Sequence, residues 1–191
     1  MLELVEDLRL GDHAALFYRS RAEQLAWMIP YVRIGLARNE RCLYIADDNS
    51  VLSIFRKLQE AGVDTDTAQA SGALSVVTKQ ETYLRHGLFE PAKMIADLKE
   101  AVQSALQAGF TGLRATGEMT WALDLPSALA RMIEYETALQ REFPAEFVAI
   151  CQYDETRYPE HIIDGMRQLH PVILRNKKVT RQAPTAGELA S

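Results

Sequence analysis

Short apolar runs alternate with amphipathic helical stretches along almost the whole chain, and this alternation narrows the fold more than any single motif does. The strand-like runs are Ala14–Tyr18, "RCLYIAD" at 41–47, "ALSVVT" at 73–78, "GLRATGEM" at 112–119, "EFVAICQYD" at 146–154 and "PVILRN" at 171–176. Helical patterns lie between them: Arg21–Arg38, with Leu25, Met28, Ile29, Val32 and Leu36 at helical spacing, then Ser50–Ala61, Pro91–Ala108, Pro126–Arg141 and His161–Leu169. Ser50 is a helix cap, Pro91 a first-turn proline, and Gly62 and Gly109 are stops; Pro30 is a candidate kink. Strand and helix in strict turn predict a three-layer α/β domain, with a mostly parallel central sheet covered by helices on both faces.

The 191 residues, 48% hydrophobic and 25% charged, suit one large domain with a sizeable core. We set its bounds at 1–179. From Val179 the sequence turns small and polar, so 180–191 is expected to be a tail or linker outside the core. The net charge is -5, from 21 basic and 26 acidic side chains, and no basic run stands out, so no direct nucleic-acid contact is expected. No apolar segment is long enough for a membrane span, and "MLELVEDLRL" is too acidic for a signal peptide. Cys42 and Cys151 sit in apolar runs and read as free thiols in a reducing cytoplasm.

The junction "GDHAALFYRSRAEQ" (11–24) is where a nucleotide-binding α/β protein carries its phosphate loop. The following "GLARNERCLYIADDNS", with its acidic pair Asp47–Asp48, and "LQEAGVD…GALSVV" resemble the KaiC-like branch of the RecA-type ATPase fold from Asp12 to Val77. The chemistry of that branch is missing. A phosphate cradle needs glycines for close backbone approach, a lysine for charge and a hydroxyl for magnesium. "YRSRAEQ" has neither glycine nor lysine, and "GLRATGEM" does not end on a magnesium-holding aspartate. The phosphate loop therefore reads as degenerate, and we expect no ATP hydrolysis, no catalytic residue and no cofactor.

The ordered series "DHAALFY", "LYIADD", "TYLRHGLFEPAKMI", "GFTGLRATGEMTWAL", "YE" at 135–136, "CQYD" and "LHPVI" resembles the MEDS domain, the sensory domain named for methanogens, methylotrophs and the dichloromethane-responsive regulator. The likeness runs from Leu10 to Val179. It implies a cytoplasmic input module of prokaryotic signal transduction or transcriptional regulation that senses a small hydrocarbon derivative. It further implies a partner output, either a histidine kinase or a DNA-binding regulator. No output domain is recognisable here, so the chain is either a fragment or acts on a separate protein; a homodimer is a further candidate assembly.

Ligands of parallel α/β sheets sit beyond the carboxyl ends of the strands. Tyr18, Asp47, Glu118, Trp121 and Tyr153 end or follow strands, and with His13 they form the candidate ligand-binding set. Tyr18, Glu118, Trp121 and Tyr153 are expected to line one cavity for a small, largely apolar molecule with one polar handle. Each has a plainer reading. Glu118 is solvated, paired with Arg114, or functional; Trp121 is a core anchor or a lid; Tyr18 packs its ring and exposes its hydroxyl. His13 precedes its strand, at the opposite edge of the sheet, where bonding to nearby backbone is the ordinary expectation. Cys151 reads as a core thiol. His13, Cys151, His170 and Glu118 are suitable metal ligands but lack the short paired spacing of a zinc site, so no metal is expected. Two other functions stay open: a nucleotide-binding domain without hydrolysis, and a protein-interaction scaffold with a vestigial pocket.

Overall fold

The computed structural model describes residues 2–124 and 126–182. Its elements, in chain order, are α1 (Leu2–Val5), β1 (His13–Tyr18), α2 (Arg21–Ala37), β2 (Arg41–Ala46), α3 (Val51–Glu60), α4 (Thr65–Ala70), β3 (Leu74–Thr78), α5 (Pro91–Gln107), β4 (Leu113–Glu118), α6 (Pro126–Arg141), β5 (Phe147–Asp154), α7 (Glu160–Leu169), β6 (Val172–Arg175) and β7 (Lys178–Arg181). The seven strands form one sheet in the order β3-β2-β4-β5-β1-β6-β7. All neighbours pair in parallel except β7, which runs antiparallel to β6. This is the expected three-layer α/β architecture.

Side chains alternate across the pleat, so each inner strand feeds two cores. Ala14, Leu16 and Tyr18 of β1 and Val148 and Ile150 of β5 face α2 and α3; Ala15, Phe17, Ala149, Cys151 and Tyr153 face α5, α6 and α7. Burial on both faces is why these strands read as continuous apolar runs rather than alternating ones. α2 begins two residues after β1. Ser20 Oγ accepts from Glu23 N–H at 3.2 Å, and the Glu23 carboxylate accepts from Arg19 N–H at 2.9 Å, so side chains take up two N–H groups of this turn. The helix runs through Pro30 without interruption.

Two glycines permit close approaches. A Cβ at Gly35 on α2 would lie 2.5 Å from Arg114 Cδ and 2.6 Å from Cys42 Sγ. The space it leaves holds a buried ion pair between Arg114 of β4 and Glu40, with the guanidinium 4.5 Å from the Tyr31 ring. At Gly117 a Cβ would lie 2.0 Å from the Tyr83 hydroxyl oxygen.

Three expectations are corrected. α4 was not anticipated: it is short and polar, started by Asp64, whose carboxylate accepts from Thr67 N–H at 3.0 Å. The sheet does not end before Val179. Asn176 and Lys177, at φ 51° and 58°, turn the chain back, and Val179, Thr180 and Arg181 pair with β6. The rest of the proposed tail, 183–191, lies outside the described residues. Finally, Arg114 does not partner Glu118. The two are four residues apart on one strand, roughly 13 Å, and Arg114 is taken by Glu40.

Candidate functional site

Glu118 closes β4 at its carboxyl end and is fully buried on the α2 side of the sheet. Its carboxylate is held by donors rather than by a cation. Oε1 accepts from the Tyr44 hydroxyl at 2.8 Å and from Asn49 Nδ2 at 2.7 Å; Oε2 accepts from the backbone N–H groups of Asp47 and Asn49, each at 3.0 Å. Burial raises its pKa above the ordinary value, and the bonds from Asn49, Asp47 and Tyr44 oppose that rise. Glu118 thereby fastens the turn after β2 to the end of β4.

A buried amide relay extends the cluster. Asn49 Nδ2 also donates to Gln24 Oε1 at 2.9 Å, Gln24 Nε2 to Gln152 Oε1 at 2.8 Å, and Gln152 Nε2 to Thr116 Oγ1 at 2.8 Å. Each link joins a different element, α2, β5 and β4. Tyr18 ends β1 on the same face, and its phenol is held above its ordinary range by burial first, then by Glu118, Asp154 and Asp48. Asp47 accepts from the Thr120 hydroxyl at 2.7 Å and pairs with Lys79 at 2.6 Å. Tyr18, Asp47 and Glu118 therefore lie at the carboxyl ends of β1, β2 and β4.

Trp121 and Tyr153 do not join them. Both belong to the core beneath α5, α6 and α7, on the other face of the sheet, so the single four-residue cavity is corrected. The reason is the pleat: Glu118 is directed to the α2 face, while Tyr153 has the opposite parity to Gln152 and points away. Trp121 is a core residue, stacked on Tyr83 at 4.9 Å and against Phe89 at 4.6 Å.

Tyr153 instead donates to Glu136 Oε1 of α6 at 2.7 Å. Glu136 is fully buried, and its Oε2 lies 3.3 Å from His13 Nε2, 3.3 Å from His170 Nε2 and 3.6 Å from Cys151 Sγ. Among the described residues, His13, Glu136, Cys151 and His170 are a buried group whose ligand atoms lie within 4.8 Å of one another. His13 does not bond nearby backbone, as had been expected; its Nδ1 meets Gln140 Oε1 at 2.9 Å. The sequence had named His13, Cys151 and His170 together but with Glu118 as the acid. The overlooked signal is a carboxylate in an apolar stripe: Met132, Tyr135, Glu136 and Leu139 share one face of α6, and Glu136 occupies a core position.

The sheet order and its covering helices define an α/β protein with a mostly parallel seven-stranded sheet, a fold similar to that of KaiC-like proteins. A KaiC-like protein of Pyrococcus horikoshii OT3 superposes with a TM-score of 0.61 at 10% identity, over 87% of this chain and 71% of that one. A second Pyrococcus horikoshii protein, uncharacterized and crystallised with an unknown peptide, gives 0.63 at 14% identity, over 88% and 81%. The chain itself belongs to the MEDS family, the methanogen/methylotroph, DcmR sensory domain, whose family model matches residues 12–171. It is 28% identical over 152 residues to the transcriptional repressor DcmR of Methylorubrum extorquens, covering 78% of this chain and 54% of that protein. The chain thus spans about half the length of that relative. Together these findings support a sensory role in regulation. No helix among the described residues is long and apolar enough to cross a membrane.

Proposed function

We propose that this domain senses a small organic molecule, largely apolar with one hydrogen-bond donor, at the carboxyl ends of β1, β2 and β4. The observation that carries this reading is the Glu118 carboxylate, buried without a cation and bonded to two backbone N–H groups of the 47–49 turn. A ligand donor that takes over one carboxylate oxygen loosens that turn and, with it, the start of α3. Binding would then shift a conformational equilibrium rather than merely fill space, which is what a sensor needs. The signal would pass to a regulator partner, as the resemblance to a repressor supports, and the module would work in the cytoplasm.

Catalysis is not part of this reading. Arg19 and Ser20 alone separate β1 from α2, and neither they nor the helix start supply the glycine-lined cradle that phosphates need. We propose that the domain hydrolyses no nucleotide.

The test is a thermal-shift screen of the purified chain with halomethanes, methanol, methylamines, ATP and ADP. A compound that binds only the folded form raises the melting temperature in proportion to RT ln(1 + [L]/Kd). We expect a small organic compound to do so, and Glu118→Gln, checked by circular dichroism for an intact fold, to weaken the response at least tenfold. Stabilisation by ATP or ADP alone would favour the nucleotide reading. No stabilisation by any of them would favour a protein-binding scaffold.

A further inference from the structure

The cluster under α6 and α7 has no part in the strand-end site, and its geometry is unusual for a core. His170 is fully buried and its Nδ1 meets the Met166 carbonyl oxygen at 2.8 Å. A carbonyl only accepts, so Nδ1 donates to it and Nε2 is turned to the centre of the cluster. That Nε2 makes no hydrogen bond, although Glu136 Oε2 stands 3.3 Å away. His13 repeats the arrangement, with Nδ1 on Gln140 Oε1 at 2.9 Å and Nε2 turned to the same carboxylate oxygen. Two imidazole nitrogens, a thiol sulfur and a carboxylate oxygen, all buried, thus converge on one point, as the ligand atoms of a metal site do.

We propose that His13, Glu136, Cys151 and His170 bind one divalent ion of the zinc class in a tetrahedral site. The distances fit. With bonds of about 2.0–2.1 Å to nitrogen and oxygen and about 2.3 Å to sulfur, a tetrahedron has N–O edges of about 3.3 Å and edges to sulfur of about 3.5 Å. The corresponding separations here are 3.3 and 3.3 Å for Nε2 to Oε2, 3.6 Å for Sγ to Oε2 and 3.7 Å for Sγ to His13 Nε2. All ligand atoms lie within 4.8 Å of each other, so small side-chain rotations close the remaining edges. The outer bonds are those a metal site requires: both imidazoles give their Nδ1–H to an oxygen, and the Tyr153 hydroxyl holds the second oxygen of Glu136 at 2.7 Å. On binding, the Cys151 thiol loses its proton to solvent. One thiolate, one carboxylate and a dication sum to zero, which suits a centre with no water around it. A mixed N, S and O donor set selects a borderline ion such as zinc or iron(II) over magnesium or calcium. Once bound, the ion would pin β1, β5, α6 and the segment after α7 to one point.

This inference stands apart from the sensory reading, since neither site shares a residue with the other. The experiment strips the purified full chain with a chelator, confirms its fold by circular dichroism and titrates it with cobalt(II). We expect uptake of one equivalent, with a thiolate-to-cobalt charge-transfer band, intense tetrahedral d–d bands, a raised melting temperature and bleaching by zinc. Cys42→Ser should keep the charge-transfer band, because Cys42 lies on the other face of the sheet. Cys151→Ser should lose it and bind cobalt at least tenfold more weakly. A folded apo-protein that takes up no cobalt, or takes it up without the thiolate band, would overturn the proposal, as would a band that survives in Cys151→Ser. Should Cys151→Ser fail to fold, the wild-type and Cys42→Ser spectra still decide, since these are the chain's two cysteines.

Discussion

Glu118 shows how one side chain is both a structural fastener and a candidate sensor. Its four donors are close and well placed, yet burial still leaves its carboxyl with a raised pKa. A carboxyl whose folded pKa exceeds the unfolded value near 4.5 binds its proton more tightly in the native state. Across the interval from that value up to the raised one, the native state carries more protons, so stability falls as pH rises. Below the interval the penalty is absent; above it the penalty is complete. We therefore expect the stability of the wild type relative to Glu118→Gln, which is neutral at every pH, to decline as pH rises above 4.5. Urea denaturation at a series of pH values measures this, and a difference that grows with pH would mean that the donors outweigh burial. That Glu118 matters was legible in the sequence, because a charged residue after a glycine at a strand end has to be solvated, paired or used. Its partners were not. Tyr44 lies on β2 and Asp47 and Asn49 in the turn after it, 69 to 74 residues away in sequence, and no spacing along the chain announces that they meet Glu118.

At the scale of elements, strongly periodic segments read easily and edge segments did not. β1, β2, β4 and β5 are buried on both faces and betray themselves as apolar runs. β7 is mostly exposed, with the charged sequence "KVTR", and offers no alternation to read. Its one signal is the turn before it, where Asn176 takes the left-handed conformation that asparagine tolerates. This last strand is fastened at several points. Arg181 pairs with Asp12 at 2.7 and 2.9 Å and donates to the Asp7 carbonyl at 3.0 Å, Gln182 N–H donates to the Pro171 carbonyl at 2.8 Å, and Val179 packs against the core on the α2 side. The half-exposed ion pair is worth little alone, so Arg181→Ala should cost less than about 1 kcal/mol. Deleting residues 178–191 removes the whole ladder with β6 and the cover over its edge. It should cost about 1–3 kcal/mol and promote self-association through the bared strand. Urea midpoints and light scattering test both variants; an unchanged midpoint in the deletion would return the domain boundary to Val179.

On the scale of the whole molecule, the sheet is a shared wall between two cores. The alternation of strands and helices foretold that wall, but not which strand-end residues would lie on which side, because one residue of register exchanges the faces. The same pleat couples the cores. Ala14 and Leu16 serve one side while Ala15 and Phe17 serve the other, and β5 alternates likewise. Neither core can open without stripping the backs of the strands that support its neighbour. The chain's two tryptophans happen to report on this separately: Trp27 on α2 is buried in one core, and Trp121 in the other. Trp121→Phe leaves only the α2-side reporter, and Trp27→Phe only the opposite one. If the wall transmits the loss of either core, each variant will show a fluorescence transition in urea that coincides with its own loss of circular dichroism, as two-state unfolding requires. A Trp121 signal that melts well before the secondary structure, with Trp27 unaffected, would instead make the α5–α7 side a separate unit. The side that carries His13, Glu136, Cys151 and His170 could then respond to an ion without the strand-end site sensing the change.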